Sequence, residues 1–224
     1  MINELNQLKA LLESPNRFII LAHKSPDGDA VGSAAAFFHF LSNISCDAQV
    51  VLPDLPSDTL LPFMADTKCL YFTENPGDVK TLFEESSVLI CLDFNASSRV
   101  GEMHSLVDGF KGVKVMIDHH QNPVEFCEIT ISRPEICSTA QLIYECIEEL
   151  GAKDFLNKSC CEAIYLGILT DTGSFRYPSV TAKTHLILAH LIEMGVEHFK
   201  IHEKIFDVNT LDKIQLRAYA IANK

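Results

Sequence analysis

Three short apolar runs in this sequence each end on an ionisable side chain. Phe18 to Ala22 runs into His23, Val88 to Leu92 into Asp93, and Val113 to Ile117, interrupted only by Lys114, into Asp118. Runs of this length, rich in Val, Ile and Leu, suit strands buried on both faces. Cys46–Leu52 and Cys69–Phe72 read as two further strands, the first closed by the Pro53 and Pro56 turn region. Helical patterns lie between them, beginning with Asp29–Ser42. Strands alternating with helices predict an α/β domain with a mostly parallel sheet and helices on both faces. In such a sheet the strand C-termini line up along one edge, where ligands bind. The three ionisable ends are therefore expected to share one edge.

The later part of the chain is helical, over roughly Ser138–Leu150, Lys158–Leu169, Ala182–Met194 and Asn209–Ala222. Gly195 is placed to stop a helix. The start, MINELNQLKALLE, carries Ile2, Leu5, Leu8, Leu11 and Leu12 on one stripe and reads as a surface helix. A length of 224 residues suits one large domain, or one domain and a fragment. Residues 1–195 form the expected domain, and 196–224 a helical connector whose Leu211, Ile214, Ala218 and Ile221 offer an unmatched packing face.

Composition removes several classes. Hydrophobic residues are 47% and charged residues 21%, as in a globular chain. The longest apolar runs are too short to cross a bilayer, and the N-terminus lacks the basic start and continuous apolar core of a signal peptide. The eight cysteines contain no C-x-x-C pair, so free thiols in a reducing cytoplasm are expected. A net charge of −12 argues against a groove for long duplex nucleic acid. It leaves a short oligonucleotide or nucleotide possible, because metal ions can supply the positive charge locally.

The acidic residues form a pattern. His23-Lys-Ser-Pro-Asp27-Gly-Asp29 follows the first strand, Asp93 ends another, and Asp118-His119-His120 ends a third. Asp171 follows the apolar run Ala163–Leu169, where a carboxylate is costly to bury unless paired or bound to metal. Carboxylate and imidazole donors suit Mn²⁺, Mg²⁺, Fe²⁺ or Zn²⁺. Asp27, Asp29, Asp93 and Asp171 bring about four negative charges, which two divalent ions balance. Two such ions can share a carboxylate and a water and activate that water for attack on phosphorus. Pro26 and Gly28 favour a tight turn aiming Asp27 and Asp29 at one point, with Gly28 free to take positive φ. Singly, each motif has a plainer reading. Pro-Asp-Gly-Asp is often only a turn, His119-His120 a solvated loop, and Asp93 or Asp171 a cap. Together, at successive element ends, they point to a dinuclear site.

With these motifs in order, the sequence resembles the DHH phosphoesterase superfamily. Asp118-His119-His120 resembles its name-giving triplet, and His23 to Gly32 its first motif. Val88–Asp93 with Arg99 resembles the second, and Thr170-Asp171-Thr172-Gly173-Ser174-Phe175-Arg176 the fourth. The match covers about residues 15–195. Within the superfamily, the bacterial oligoribonuclease (nanoRNase) and pAp-phosphatase subgroup is the most similar. The resemblance implies that His23 and Asp27 hold one metal, Asp29, His119 and Asp171 a second, and that Asp93 bridges. It implies that His120 contacts the substrate phosphate and helps protonate the leaving group, and that Asp118 orients a neighbouring histidine. It also makes Arg99 the phosphate clamp, a surface arginine being the plainer reading of that residue. Manganese is the ion it points to, with magnesium or another divalent ion as alternatives. Family members continue into a C-terminal substrate-binding domain with a glycine-rich, histidine-containing motif. This chain has no Gly-Gly, so residues 196–224 are expected to lead toward a domain it does not contain.

His39, His104, His185, His190, His198 and His202 read as helical surface or hydrogen-bonded histidines, and Phe37, Phe38 and Phe40 as core. Lys24 fits either a phosphate contact or solvent. Two alternatives to a nucleotide hydrolase stay open: an inorganic pyrophosphatase-like enzyme, and a metal-binding module inactive without its second domain. A homodimer is compatible with the sequence.

Overall fold

A computed structural model describes residues 2–208 and 211–223. The strands are β1 (Arg17–Ala22), β2 (Asp47–Leu52), β3 (Cys69–Tyr71), β4 (Val88–Leu92), β5 (Val113–Asp118) and β6 (Ile129–Ser132). They form one sheet in the order β3-β2-β1-β4-β5-β6, and each pairing is parallel. The helices are α1 (Ile2–Leu12), α2 (Gly28–Asn43), α3 (Pro76–Glu85), α4 (His104–Asp108), α5 (Thr139–Glu149), α6 (Lys158–Asp171), α7 (Ala182–Glu193), α8 (His198–His202) and α9 (Leu211–Ala222). The expected α/β architecture, with helices on both faces of a parallel sheet, is the one observed.

Strand alternation divides the core. Phe18, Ile20 and Ala22 of β1, with Val88, Ile90 and Leu92 of β4, face a layer that includes α2, α5 and α6. Ile19, Leu21, Leu89 and Cys91 face the opposite layer with Val79, Leu82 and Phe83 of α3 and Val107 of α4. Successive residues point to opposite faces and both are covered, which is why these strands lack polar alternation. Phe37, Phe38 and Phe40 are buried, as read from the sequence. The eight cysteines are free, five of them buried. Burial pushes the Cys69 and Cys146 thiols up to about 12. Among the described residues, no helix is long and apolar enough to cross a membrane.

Strand order reverses between β1 and β4, the neighbours at the centre of the sheet. From β1 the chain winds one way through β2 and β3; from β4 it winds the other way through β5 and β6. Ligands bind outside the strand C-termini at such a switch point. His23 follows β1 and Asp93 follows β4, so both flank it.

Helices α2 and α6 cross closely because glycines meet there. A Cβ on Gly32 would lie 2.6 Å from the Ala163 carbonyl oxygen and 2.8 Å from the Gly167 amide nitrogen. Those are backbone atoms and cannot move alone. Gly32→Ala is therefore expected to force the helices apart and lower stability by about 1–3 kcal/mol, the usual cost of overpacking. A denaturant midpoint equal to wild type would refute this.

Several elements differ from the sequence reading. Strand β6 was not expected; only Ile129 and Ile131 are apolar in its four residues. Within the expected connector, α8 is followed by a short π-helical stretch, Glu203–Asp207. Gly195 does end α7, with φ of 94°. The helix expected from Asn209 begins at Leu211 in the structure, Asn209 lying outside the described residues. Leu211, Ile214, Leu216, Tyr219 and Ile221 of α9 are exposed.

Candidate metal centre

The loop after β1 becomes the N-terminus of α2, not a free turn. Asp27 is the helix N-cap, and its Oδ1 accepts the amides of Asp29 and Ala30, each at 3.0 Å. This satisfies two of the donors that a helix start leaves open. Gly28 does not use positive φ, contrary to expectation. It lies inside the first turn of α2, and a Cβ there would strike Thr170 Oγ1 at 2.3 Å. Glycine is needed at 28 for close approach to α6, which carries Asp171 at its end.

Asp29 is buried against the start of α5. Its Oδ2 accepts the Thr139 amide at 2.7 Å and its Oδ1 the Ala140 amide at 3.0 Å. Two amides of a helix N-terminus suit a carboxylate. Room for it comes from Gly167, where a Cβ would sit 2.6 Å from Asp29 Oδ1. Asp93 follows β4 in left-handed backbone, φ 62°, and is buried. Its amide donates to the Ile117 carbonyl at 3.2 Å, and its Oδ1 accepts the Thr139 hydroxyl at 2.8 Å. The plainer reading of Asp93 as a helix cap is not what the structure has, since the next helical turn, Ser97–Met103, is entered from Ala96. Thr139 thus contacts two of the carboxylates. Sequence reasoning missed it. Ser138-Thr139 signals a helix start, but nothing local names its partner 110 residues away.

The histidines are oriented by carbonyls. His23 Nδ1 lies 2.8 Å from the Lys24 carbonyl oxygen, and His119 Nδ1 3.2 Å from that of Ile136. A carbonyl only accepts, so each Nδ1 carries the hydrogen and each Nε2 keeps its lone pair for a cation. Metal-binding histidines are fixed in this way. His23 Nε2 lies 3.8 Å from Asp27 Oδ1 and 3.6 Å from Asp93 Oδ2. His119 Nε2 lies 3.8 Å from Asp29 Oδ2, 3.7 Å from Asp93 Oδ1 and 3.5 Å from Asp171 Oδ2. These separations are too long for good hydrogen bonds. They fit within the ~4.2 Å span of two metal–ligand bonds of about 2.1 Å each. The side chains gather as His23-Asp27-Asp93, Asp29-His119-Asp171 and Asp93-His119-His120. The donor set fits divalent cations.

His120 differs. Its Nδ1 donates to Asp118 Oδ1 at 2.7 Å, and its amide to Asp118 Oδ2 at 3.0 Å. Asp118 is fully buried and fixes the ring, leaving Nε2 free. Arg99 lies on the 3-10 turn Ser97–Met103. Its carbonyl accepts the Lys24 amide at 2.9 Å, and the Lys24 stem crosses Gly101, where a Cβ would be 2.9 Å from Lys24 Cδ. Gly101 has φ of 60°, a backbone suited to glycine. Lys24 itself is exposed. Of the histidines set aside, His190 Nδ1 meets the Tyr144 hydroxyl at 2.9 Å and His202 Nε2 the Tyr165 hydroxyl at 3.4 Å.

Charge and burial compete in this cleft. Burial, followed by the charges of Asp93 and Asp171, raises the Asp29 carboxyl well above its ordinary range despite its two amides. Burial also raises Asp171, against the pull of His119. Burial would raise Asp93 too, but the close approach of His23, followed by the charges of His119 and His23, holds it below the usual value. Burial disfavours a charged His23, yet its contacts with Asp93 and the Lys24 carbonyl raise it overall. The Asp118 hydrogen bond raises His120, while the Arg99 charge opposes this.

A family model for the N-terminal domain of the DHH family matches residues 17–168. The chain belongs to the DHH family. A crystal structure of an exopolyphosphatase-related protein from Bacteroides fragilis superposes on this DHH chain with a TM-score of 0.96 at 33% identity, covering 100% of this chain and 66% of that one. The bifunctional oligoribonuclease and PAP phosphatase NrnA of Thermus thermophilus is 28% identical over 83% of the DHH chain and 52% of its own length. Protein MG371 of Mycoplasma genitalium is 29% identical over 85% of the chain and 56% of its own length. The DHH chain thus spans between about half and two thirds of the length of these relatives.

Proposed function

We propose that this DHH chain hydrolyses phosphoesters with two divalent cations, most simply manganese, and that its substrates are short oligonucleotides and 3′-phosphoadenosine 5′-phosphate. One observation carries the reading. The two oxygens of Asp93 address different histidines: Oδ2 lies 3.6 Å from His23 and Oδ1 3.7 Å from His119. A carboxylate so placed could serve two cation positions at once. His23, Asp27 and Asp93 would hold one cation, and Asp93, Asp29, His119 and Asp171 the other. The likeness to NrnA, named for oligoribonuclease and PAP phosphatase activity, supports the choice of substrates.

Two cations held there would supply the chemistry that turns water into a nucleophile near neutral pH and offsets charge on the phosphoryl oxygens. The chain's residues do the rest. His120 is held by Asp118 with Nε2 free, and its raised proton affinity suits proton delivery to a leaving oxygen. Arg99 supplies a planar pair of donors for phosphate oxygens. Residues 196–224, with the exposed apolar face of α9, serve in this reading as a linker toward a substrate-binding region.

The test compares substrates with and without Mn²⁺. Nucleotide monomers released from a dinucleotide only when Mn²⁺ is present are the expected result. Phosphate released from pyrophosphate, with the dinucleotide intact, would replace this reading with a pyrophosphatase. Full metal binding with no turnover on any phosphoester would make the chain a metal-binding module.

A further inference from the structure

After Asp171 the backbone takes three successive left-handed residues: Gly173 (φ 55°), Ser174 (φ 63°) and Phe175 (φ 63°). The next two residues fold back on this turn. The amides of Arg176 and Tyr177 both donate to the Thr172 carbonyl, at 3.0 and 3.2 Å. Arg176 Nε donates to the Gly173 carbonyl at 2.6 Å, leaving its terminal nitrogens for another partner. The Tyr177 ring lies over Gly173, where a Cβ would sit 2.7 Å from ring atoms Cε1 and Cζ and 3.0 Å from the hydroxyl oxygen.

Gly173 is two residues past Asp171, so their Cα atoms are within about 7 Å along the chain. A ring resting on Gly173 is thus within roughly one nucleotide's length of the carboxylate. Even so, Tyr177 is 54% exposed. Its neighbour Phe175 behaves differently, packing half-buried on Tyr165 with ring centroids 5.7 Å apart. Among the described residues, the other exposed aromatic ones, Phe155, Phe199, Phe206 and Tyr219, all lie farther along the sequence from any residue of the cluster. A lone exposed apolar side chain is ordinary. Tyr177 differs in three respects: its ring is backed by a glycine, it has a cation beside it, and it follows a cluster residue closely.

We propose that Tyr177 is a base-stacking platform for the carboxylate cleft, with Arg176 as its flanking cation. The ligand class is then a nucleotide, its phosphate in the cleft and its aromatic base on the open face of the tyrosine. Stacking is tolerant of base identity, because every base has a π face. Inorganic pyrophosphate could not use this contact. The proposal rests on the phosphoester reading only for where the phosphate sits, and Tyr177 acts in it as a specificity-determining residue.

The test is equilibrium binding, without turnover, of adenosine 5′-monophosphate and of ribose 5-phosphate to the full chain with Mn²⁺. The two differ by the base. The wild type is expected to prefer the nucleotide by about 5-fold to about 150-fold, the range one stacked base contributes. Tyr177→Ala should bring the ratio close to one, and Tyr177→Phe should keep it. Tyr177 is exposed, so both variants are expected to fold, which circular dichroism checks. Equal wild-type affinities, or a ratio that survives Tyr177→Ala, would overturn the proposal. A Tyr177-dependent preference in a chain that hydrolyses no ester would uphold it and sink the hydrolase reading. Hydrolysis with no base preference in binding would do the reverse.

Discussion

Asp93→Asn is expected to reduce Mn²⁺-dependent hydrolysis on the order of 1,000-fold, about 4 kcal/mol of activation free energy. Asparagine is the informative replacement. It tolerates the left-handed backbone at 93, and its amide oxygen can still accept the Thr139 hydroxyl. What it lacks is a second oxygen. The carboxylate faces His23 with Oδ2 and His119 with Oδ1, whereas an amide can offer an oxygen to one side only. Metal content should therefore fall below two per chain in equilibrium dialysis, alongside the loss of turnover. Asp93→Ala would add a backbone cost of about 1–2 kcal/mol and blur the result. Wild-type turnover and metal content in Asp93→Asn would end the bridging assignment.

The second large effect concerns stability, and its sign follows from proton affinity. Folding raises the pKa of Asp29 and Asp171, so the folded chain holds more protons there than the unfolded chain. Stability from these groups falls as pH rises from the ordinary carboxylate range through their raised values. His23 and His120 are also raised, so their contribution is complete below the ordinary histidine value and is lost as pH rises through the folded one. Asp93 runs the other way, its contribution being lost as pH falls through its depressed value. The metal-free chain should therefore lose stability as pH rises through neutrality. Cations need these same groups deprotonated, so their apparent affinity should rise with pH. Mn²⁺ at 100 times its dissociation constant should add about 2.7 kcal/mol per site. That corresponds to roughly 5–11 °C in melting temperature for a chain of this size. At a fixed Mn²⁺ concentration the gain should be larger at pH 8 than at pH 6, because the dissociation constant falls as pH rises. Thermal melts after chelator dialysis, with and without Mn²⁺, check it; no shift at either pH would remove the cation reading.

The cluster was legible in the sequence because its members follow apolar runs. A buried strand that ends on His23 or Asp93 marks its own terminus, and the parallel sheet puts those termini on one edge. Less legible was everything that depends on a distant partner. Thr139 reads as the first turn of a helix, and nothing near it says that its amide and hydroxyl reach Asp29 and Asp93. Gly167 falls inside the helix expected over Lys158–Leu169, and nothing near it says that it is the space beside the Asp29 carboxylate. Gly28, with Pro26, suggests a tight turn, but close approach to Thr170 decides its role. Strand β6 escaped notice because two apolar residues in four do not stand out from a loop.

The cluster draws on residues from His23 at the first strand to Asp171 at the end of α6, and Asp29 joins amides 110 residues further along. Local contacts alone cannot assemble it. During synthesis His23, Asp27 and Asp29 emerge first and wait for β4, β5, α5 and α6 before they have counterparts. Closing such long loops is slow relative to forming helices. If the cluster binds cations as proposed, capture would be tied to completion of the whole domain, and a nascent or partly unfolded chain would have only fragments of the cluster to present.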